Sequence, residues 1–472
     1  MKTVKRVLAL SLVLVLVLAS ACSGGKVNSQ ISSEDNLVEK ATIDGELYGK
    51  EGHSFDIKFS SKITVNTLTM EEDGDNITEF SILAYNDATQ MYDTVYTQQE
   101  IGKYRYCAFS DVKTSALRVK ITGATEKFKI KNVAVYNAKH LINENESKFR
   151  VTSYVTGSSI QKPEQIDLGT MDIVTDFILF GLLTFDENGQ LHYVDQEVDG
   201  QKIDGKVAFD TALSNLRQAI GDRDINIYVN VLGPNADEGI EDWNKSCNNK
   251  ADKHTKAFKS GKLSSYINQF MKDHGIDGIS FDYEYPLRNK DWKAFNDFLL
   301  DIRSEIGNDK RIAIAVTDWN LKISKKAADV VDVFELMSYD LFDERGDHAS
   351  FNTAVADINS AVKKGIDPSK IDLGLPFYAR PTDSGSYWYD YASEAETLGK
   401  FGNYSDAKSD DIPYSEVGRY YNGYQMIYDK TAYALDYGVG GVMVWHQACD
   451  LPVSNELSLF RSISQVVETR AK

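Results

Sequence analysis

Hydrophobic and polar positions follow two different periods along the chain. Over residues 41–138 they alternate. Phe55, Ile57 and Phe59 are separated by polar residues, as are Leu117, Val119 and Ile121. Alternation of this kind puts one face of a strand in a core and the other in water. Ile63 with Val65, Phe80 with Ile82 and Ala84, and Val133 with Val135 add further short strands. Turn-like polar stretches such as residues 71–76 separate them, and no helical period is visible. The pattern predicts a small antiparallel β-sandwich.

From residue 149 the period changes. Strand-like segments at 151–155, 177–181, 225–232, 278–284, 312–317, 333–339, 371–376 and 441–445 alternate with amphipathic stretches. Leu213, Leu216 and Ile220 share one helical face before Gly221, and Leu263, Ile267 and Phe270 another before Gly275. Phe295, Phe298, Leu299 and Ile302 precede Gly307, and Val355, Ile358 and Val362 precede Gly365. Glycine just past an apolar stripe is a helix stop. Strand-then-helix units repeated in this way predict an α/β fold, a (β/α)8 TIM barrel placed after the sandwich. Chemistry in such barrels sits at the C-terminal ends of the strands. The barrel is expected to carry its own core and to act on small soluble substrates without residues 23–140.

Composition narrows the choice of ligand. The formal charge of −18 disfavours nucleic acid, whose phosphates need clustered Lys and Arg. The 26 tyrosines suit flat sugar faces as well as ordinary packing. The His residues show no metal-ligand spacing and no Gly-rich phosphate loop is present. Cys107, Cys247 and Cys449 cannot all pair within one chain, so no disulfide framework is implied.

The fourth barrel strand carries the clearest chemistry. It reads Asp277-Gly278-Ile279-Ser280-Phe281-Asp282-Tyr283-Glu284-Tyr285-Pro286. Alternation puts Ser280, Asp282 and Glu284 on one face and Ile279, Phe281 and Tyr283 on the other. Barrel strands are buried on both sides, and carboxylates pointing into a core are costly without a purpose. This segment resembles glycoside hydrolase family 18, the chitinase-like barrels, whose signature is Asp-Gly-x-Asp-x-Asp-x-Glu. The match holds at Asp277, Gly278, Asp282 and Glu284 and departs at Ser280, where the family has Asp. Met337-Ser338-Tyr339-Asp340, Leu373-Gly374-Leu375-Pro376-Phe377-Tyr378 and Gly440-Gly441-Val442-Met443-Val444-Trp445 resemble the family's segments on strands six, seven and eight. The third strand is weaker: the family's Ser-x-Gly-Gly reads Val231-Leu232-Gly233-Pro234.

The resemblance implies substrate-assisted retention, an exception to the two-carboxylate scheme that needs no metal or organic cofactor. Glu284 would protonate the departing oxygen, and the substrate's own N-acetyl carbonyl would attack the anomeric carbon. Asp282 would hold the acetamido N–H, Tyr339 would donate to the carbonyl, and Trp445 would stack under the sugar. Met337, Asp340, Tyr154 and Tyr378 are further candidates for lining the substrate site. The expected partner is an N-acetylglucosamine-containing polysaccharide or glycan. Three functions follow: cleavage of β-1,4-linked N-acetylglucosamine polymers, endo-β-N-acetylglucosaminidase action on N-linked glycans, or binding of glycans by an inactive barrel. Retention of Glu284 and Asp282 argues against the third, and Ser280 is the feature in its favour. Loss of the carboxyl at position 280 predicts slower catalysis, with Ser280→Asp raising the rate. The interval between Arg380 and Gly440 is too short for the α/β insertion of deep-cleft chitinases, so a more open groove is expected.

The remaining segments concern export and targeting. Lys2, Lys5 and Arg6 precede an apolar run from 7 to 18, then Ala19, Ser20, Ala21 and Cys22. This resembles a bacterial lipoprotein signal, which implies lipidation at Cys22 and a place on the outer side of a membrane, held only by the lipid; the alternative is a plain secretory signal with an incidental Cys, and a secreted protein. The expected division is a signal at 1–21, a tether at 22–40, the sandwich at 41–138, a linker at 139–148, the barrel at 149–466 and a tail at 467–472. The order of strands in the sandwich resembles a discoidin-like (coagulation factor type C) module. Carbohydrate binding and a plain spacer role stand equal for it.

Overall fold

A computed structural model describes residues 36–139, 148–382, 388–406 and 418–470. The expected signal with Cys22, and residues 140–147 of the expected linker, lie outside them. The amino-terminal module contains β1 (Ala41–Asp44), β2 (Tyr48–Gly49), β3 (Ser54–Glu72), β4 (Ile77–Asn86), β5 (Met91–Gln98), β6 (Arg105–Ala124) and β7 (Phe128–Tyr136). They form one antiparallel sheet in the order β2-β7-β3-β6-β4-β5, with β1 on β3. Ile63 and Val65, read from the sequence as a separate strand, continue β3. The β3–β6 register breaks between Lys58 and Ile63 and again between Val65 and Thr67. Such irregularities bend a strand. Phe55 and Ile57 before the breaks share one core with Leu68 and Met70 after them. The predicted sandwich is therefore a single sheet folded over on itself.

The barrel opens with β8 (Arg150–Thr156) and β9 (Asp176–Phe185). Short β10 (Leu191–Tyr193) folds back on β9, and β11 (Gln196–Val198) pairs with β12 (Gln201–Ile203). Then come β13 (Asn226–Leu232), β14 (Gly278–Asp282), β15 (Arg311–Val316), β16 (Val333–Leu336) and β17 (Ile371–Pro376). A small antiparallel sheet of β18 (Tyr378–Pro381), β19 (Tyr389–Asp390), β20 (Tyr404–Ser405) and β21 (Arg419–Tyr420) precedes β22 (Gly441–Trp445). Parallel pairing runs β8-β9-β13-β14-β15-β16-β17-β22 and closes from β22 back to β8. All eight predicted strands are present in the predicted order.

The helices are α1 (Gly205–Ile220), α2 (Trp243–Phe258), α3 (Leu263–His274), α4 (Asn289–Ile306), α5 (Lys325–Val330), α6 (Phe351–Lys363), α7 (Ala395–Leu398), α8 (Tyr424–Asp436) and α9 (Leu459–Arg470). Asp204 caps α1 through the Lys206 and Val207 amides, and left-handed Gly275 closes α3. Ile279, Phe281 and Tyr283 pack outward under the helices, as the alternation predicts.

Two expectations fail at α8 and α9. Every residue of α8 is buried, because the amino-terminal module covers its outer side. Asp429 of α8 accepts hydrogen bonds from Arg105 Nη2 (3.0 Å), the Tyr96 hydroxyl (2.7 Å) and the Ala108 amide (3.0 Å). Asp436 pairs with Arg470 Nη1 at 2.7 Å and accepts from the Tyr106 hydroxyl. Arg470 also donates to Thr67 Oγ1 and to the Asn66 carbonyl. Residues 467–470 of the expected tail therefore contribute the last turn of α9 and a buried ion pair, and 471–472 lie outside the described residues. The barrel does not stand alone: its outer wall is completed by the module, and buried charges lock the two together. Sequence periodicity reports that a face is apolar, not which neighbour covers it.

Candidate active site

The barrel interior is a distinct cluster of Tyr154, Ile178, Tyr228, Ala313, Ala315, Val333, Met337 and Met443. Phe180, Tyr285, Tyr339 and Trp445 pack against its upper side. Gly278 is required here: a Cβ on it would lie 2.3 Å from the Tyr228 ring. At strand three, Gly233 serves His254 in the same way, since a Cβ there would fall 1.9 Å from His254 Nε2.

The signature residues separate by depth. Asp277 lies before β14 begins, where its Oδ2 accepts the Ile227 amide at 3.0 Å, a structural role. Ser280 is fully buried in mid-barrel. Asp282 ends β14, and Glu284 stands just beyond it, both partly open to the groove. Asp282 Oδ1 is buried without a hydrogen-bond partner. Burial and then the charge of Glu284 push the Asp282 carboxyl up, with Lys250 opposing. Burial likewise raises Glu284, against Lys250 and a hydrogen bond from Tyr285. Two neighbouring carboxyls held above their ordinary range can divide the work, one keeping a proton to give and the other carrying charge.

Tyr339 is partly open, with its hydroxyl 3.9 Å from Met443 Sδ. Trp445 stands edge-on to Phe180 at 4.8 Å and to Tyr154 at 5.2 Å. Asp340, Tyr378 and Tyr154 are engaged within the protein. Asp340 has a left-handed backbone (φ 58°), and its amide donates to His348 Nε2 at 2.9 Å. Its Oδ1 accepts from Tyr378 (2.8 Å) and Arg380 (2.7 Å). Burial alone would raise Asp340, but the bonds from Arg380 and Tyr378 and the Arg380 charge, beside the His348 ring, hold it well below the usual range. Tyr378 and Tyr154 are buried, and the Tyr154 hydroxyl donates to Glu335 Oε2 at 2.7 Å. Met337 is buried in the interior cluster. As sugar contacts, then, the buried tyrosines and Met337 give way to their packing roles.

Other residues come to the site unannounced by the signature. Trp243 at the start of α2, Trp319 after β15 and Trp388 after β18 are each at least 40% exposed, unusual for indoles. Trp319 lies 5.4 Å from Tyr285 and 6.2 Å from Trp243, centroid to centroid. All three follow barrel strands on the face that bears Glu284. Their signal in the sequence was scarcity, five tryptophans of which Trp243, Trp319 and Trp388 lie in segments that follow barrel strands and Trp445 ends one. Glu335 of β16 points inward and touches Ser280, as described below. Away from the mouth, Glu100, Asp343 and Asp347 bring carboxylate oxygens within 4.8 Å of one another, beside Arg345.

Comparison with known proteins agrees with this geometry. A family model described as glycosyl hydrolases family 18 matches residues 150–450, which span all eight barrel strands. The protein named Endochitinase 1 of Metarhizium anisopliae is 28% identical over 267 residues, 46% of this chain and 62% of its own length. The protein named Probable chitinase 2 of Drosophila melanogaster is 27% identical over 162 residues, 30% of this chain and 34% of its own. This chain thus spans less than two thirds of the length of either relative. A crystal structure of a chitinase from Bacteroides thetaiotaomicron superposes with a TM-score of 0.51 at 20% identity, covering 68% of this chain and 96% of that one. The amino-terminal module lies outside the matched family region.

Proposed function

The chain belongs to glycosyl hydrolase family 18, and we propose that it cleaves β-1,4-linked N-acetylglucosamine polymers with Glu284 as the catalytic acid. The observation that carries this reading is the pair Asp282 and Glu284, half-buried at the barrel mouth and both raised by burial. Glu284 keeps a proton for the leaving oxygen. Asp282, one alternation deeper, accepts the substrate's acetamido N–H with its unpartnered Oδ1 and steadies the positive charge that forms as the acetamido carbonyl closes on the anomeric carbon. Tyr339 donates to that carbonyl, and Trp445 supplies the flat floor. Glu284 then removes a proton from water, and the product retains the β configuration.

The experiment is an NMR time course on a chitin oligomer. First-formed β-anomer, with competitive inhibition by a thiazoline analogue, is the expected result, and initial α-anomer would exclude the mechanism. Hydrolysis of a high-mannose glycoprotein with chitin oligomers left intact would transfer the reading to N-linked glycans. Export and attachment through Cys22 are part of the same proposal, supported by the basic, apolar and small-residue order of positions 2–22. Failure of Cys22 to incorporate labelled fatty acid in a bacterial host would remove the anchor. A discoidin-like, glycan-binding role for the module is supported only by its strand order.

A further inference from the structure

Glu335 lies on β16 and is completely buried. Strand pairing sets Asp282 opposite Ala315 and Ala315 opposite Glu335, so the two carboxyl residues occupy one row of the barrel interior with only a methyl between them. Below that row Ser280 pairs with Ala313. The two alanines leave the space that a long acidic side chain from β16 can fill.

The hydrogen bonds around Glu335 are one-sided. Oε2 accepts from the Tyr154 hydroxyl at 2.7 Å and from Ser280 Oγ at 2.9 Å. Asn230 Nδ2 donates to Ser280 Oγ at 3.2 Å, which turns the serine proton toward Glu335. Oε1 is buried with no partner, as is Asp282 Oδ1. The groups facing Glu335 are Tyr154 on β8, Asp282 on β14 with Glu284 beyond it, Tyr339 after β16, and Asp372 on β17. Asp372 is itself bound by the Arg150 guanidinium at 2.7 and 2.9 Å. An ionised carboxylate here would have acidic neighbours and no cation of its own, which is expensive in a closed core. A protonated one is a donor with a free hydrogen on Oε1.

We infer that Glu335 is the positioning residue of this site, a proton-holding carboxyl two strands away that takes over for the acidic residue absent at position 280. The inference rests on the hydrolase reading of the same site. When Asp282 is ionised, Glu335 holds the shared proton on Oε1. When Asp282 faces inward, the proton passes from Glu335 Oε1 to Asp282 Oδ1, and it returns as Asp282 turns to the substrate. Only an O–H bond is exchanged, and the pair keeps one negative charge throughout. Burial pushes the Glu335 carboxyl up to about 8, against the bonds from Tyr154 and Ser280 and with the charges of Asp372 and Asp282. Ser280 is then no defect. Its hydroxyl is the donor that a second carboxylate could not be, which reverses the expectation for Ser280→Asp alone: a carboxylate there would face Glu335.

The test is kcat and KM against pH on a chromogenic chitobioside for wild type, Glu335→Gln, Ser280→Asp and the paired variant. Glu335→Gln should lower kcat roughly tenfold or more, leave KM within about twofold and move the acidic limb of the profile. Ser280→Asp alone should also be slower than wild type, and the pair should recover most of the rate. An unchanged rate and profile in Glu335→Gln, or a faster Ser280→Asp, overturns the inference. So does a paired variant no better than Glu335→Gln alone. If Glu335→Gln does not fold, the paired variant against Ser280→Asp carries the same comparison. Infrared difference spectra near neutral pH give a readout independent of turnover: a protonated-carboxyl band present in wild type, lost in Glu335→Gln and restored in the paired variant is expected, and a spectrum of Glu335→Gln identical to wild type sinks the inference. An inactive wild type that shows the band would count against the hydrolase reading and not against Glu335 as the proton holder.

Discussion

Two regions of this molecule bury carboxylates, and they treat them in opposite ways. Where the module meets α8 and α9, Asp429 and Asp436 each face an arginine, Arg105 and Arg470, and each is further supplied with tyrosine hydroxyls. At the barrel mouth Asp282, Glu284 and Glu335 have no arginine at hydrogen-bond distance among the described residues, and two of the three keep an unpartnered oxygen. The first arrangement sets a cation against each carboxylate where the chain must be held, and burial still raises Asp429 to about 6. The second sets no arginine there, and burial raises all three carboxyls. The difference separates a joint from a reaction centre more sharply than the number of acidic residues does.

The largest break in this contrast is at the acid itself. Glu284→Gln keeps the shape and removes the proton, so kcat should fall about 10²- to 10⁴-fold while chitin-oligomer binding measured by calorimetry persists. Near-normal turnover would move the acid elsewhere. Next comes the joint. Both side chains of the Arg105–Asp429 pair are fully buried. Arg105→Met strands Asp429 and should cost about 3–5 kcal/mol of stability. Adding Asp429→Leu should return much of it, because two apolar residues need no partner. Equal melting temperatures for wild type and Arg105→Met would show that the module is not locked to the barrel. By the same reasoning, deleting the module should yield a poorly soluble barrel with an exposed α8.

Much of this was legible in the sequence, and the losses have physical causes. The eight strands, their order and the inward face of Ser280, Asp282 and Glu284 follow from periodicity, because a strand buried on both sides still alternates its chemistry. The signature also brought Glu284 and Asp282 together. It could not reach Glu335, which joins the site across two strand pairings and 55 positions in sequence. Nor could it show that Tyr154 and Tyr378 spend their hydroxyls inside the protein, since an aromatic at a strand end reads the same whether it faces sugar or core. The joint was missed because Arg105, Asp429 and Arg470 are charged residues in apparently ordinary surface positions until their partners are known.

A smaller effect concerns pH. Burial pushes the Glu335 carboxyl up to about 8 in the folded chain, from an ordinary value of 4.5. A carboxyl raised on folding binds its proton more tightly in the native state, so its contribution is fully present below the unfolded value. It is lost as pH rises through the folded one. Stability of wild type should therefore fall between about pH 4.5 and 8, and Glu335→Gln should show a shallower fall over that window in thermal melts. Parallel curves would mean that Glu335 is ionised in the fold.

The smallest effect extends the contrast from carboxylates to tryptophans. Trp292 is 4% exposed and committed to the core beneath α4, whereas Trp319 is 47% exposed, with its ring beside those of Tyr285 and Trp243. An indole left open beside a groove offers its face to an apolar sugar face, an interaction present in the ground state and the transition state alike. Removing it should raise KM and spare kcat. Trp319→Ala is expected to raise KM about fivefold, about 1 kcal/mol, for oligomers long enough to reach the turn after β15. It should leave a two-sugar substrate and the melting temperature unchanged. Trp292→Ala should do the reverse, lowering the melting temperature with little selectivity between substrates. A Trp319 effect of equal size on short and long oligomers would place the ring at the cleavage point, and a drop in melting temperature would make it a packing residue like Trp292.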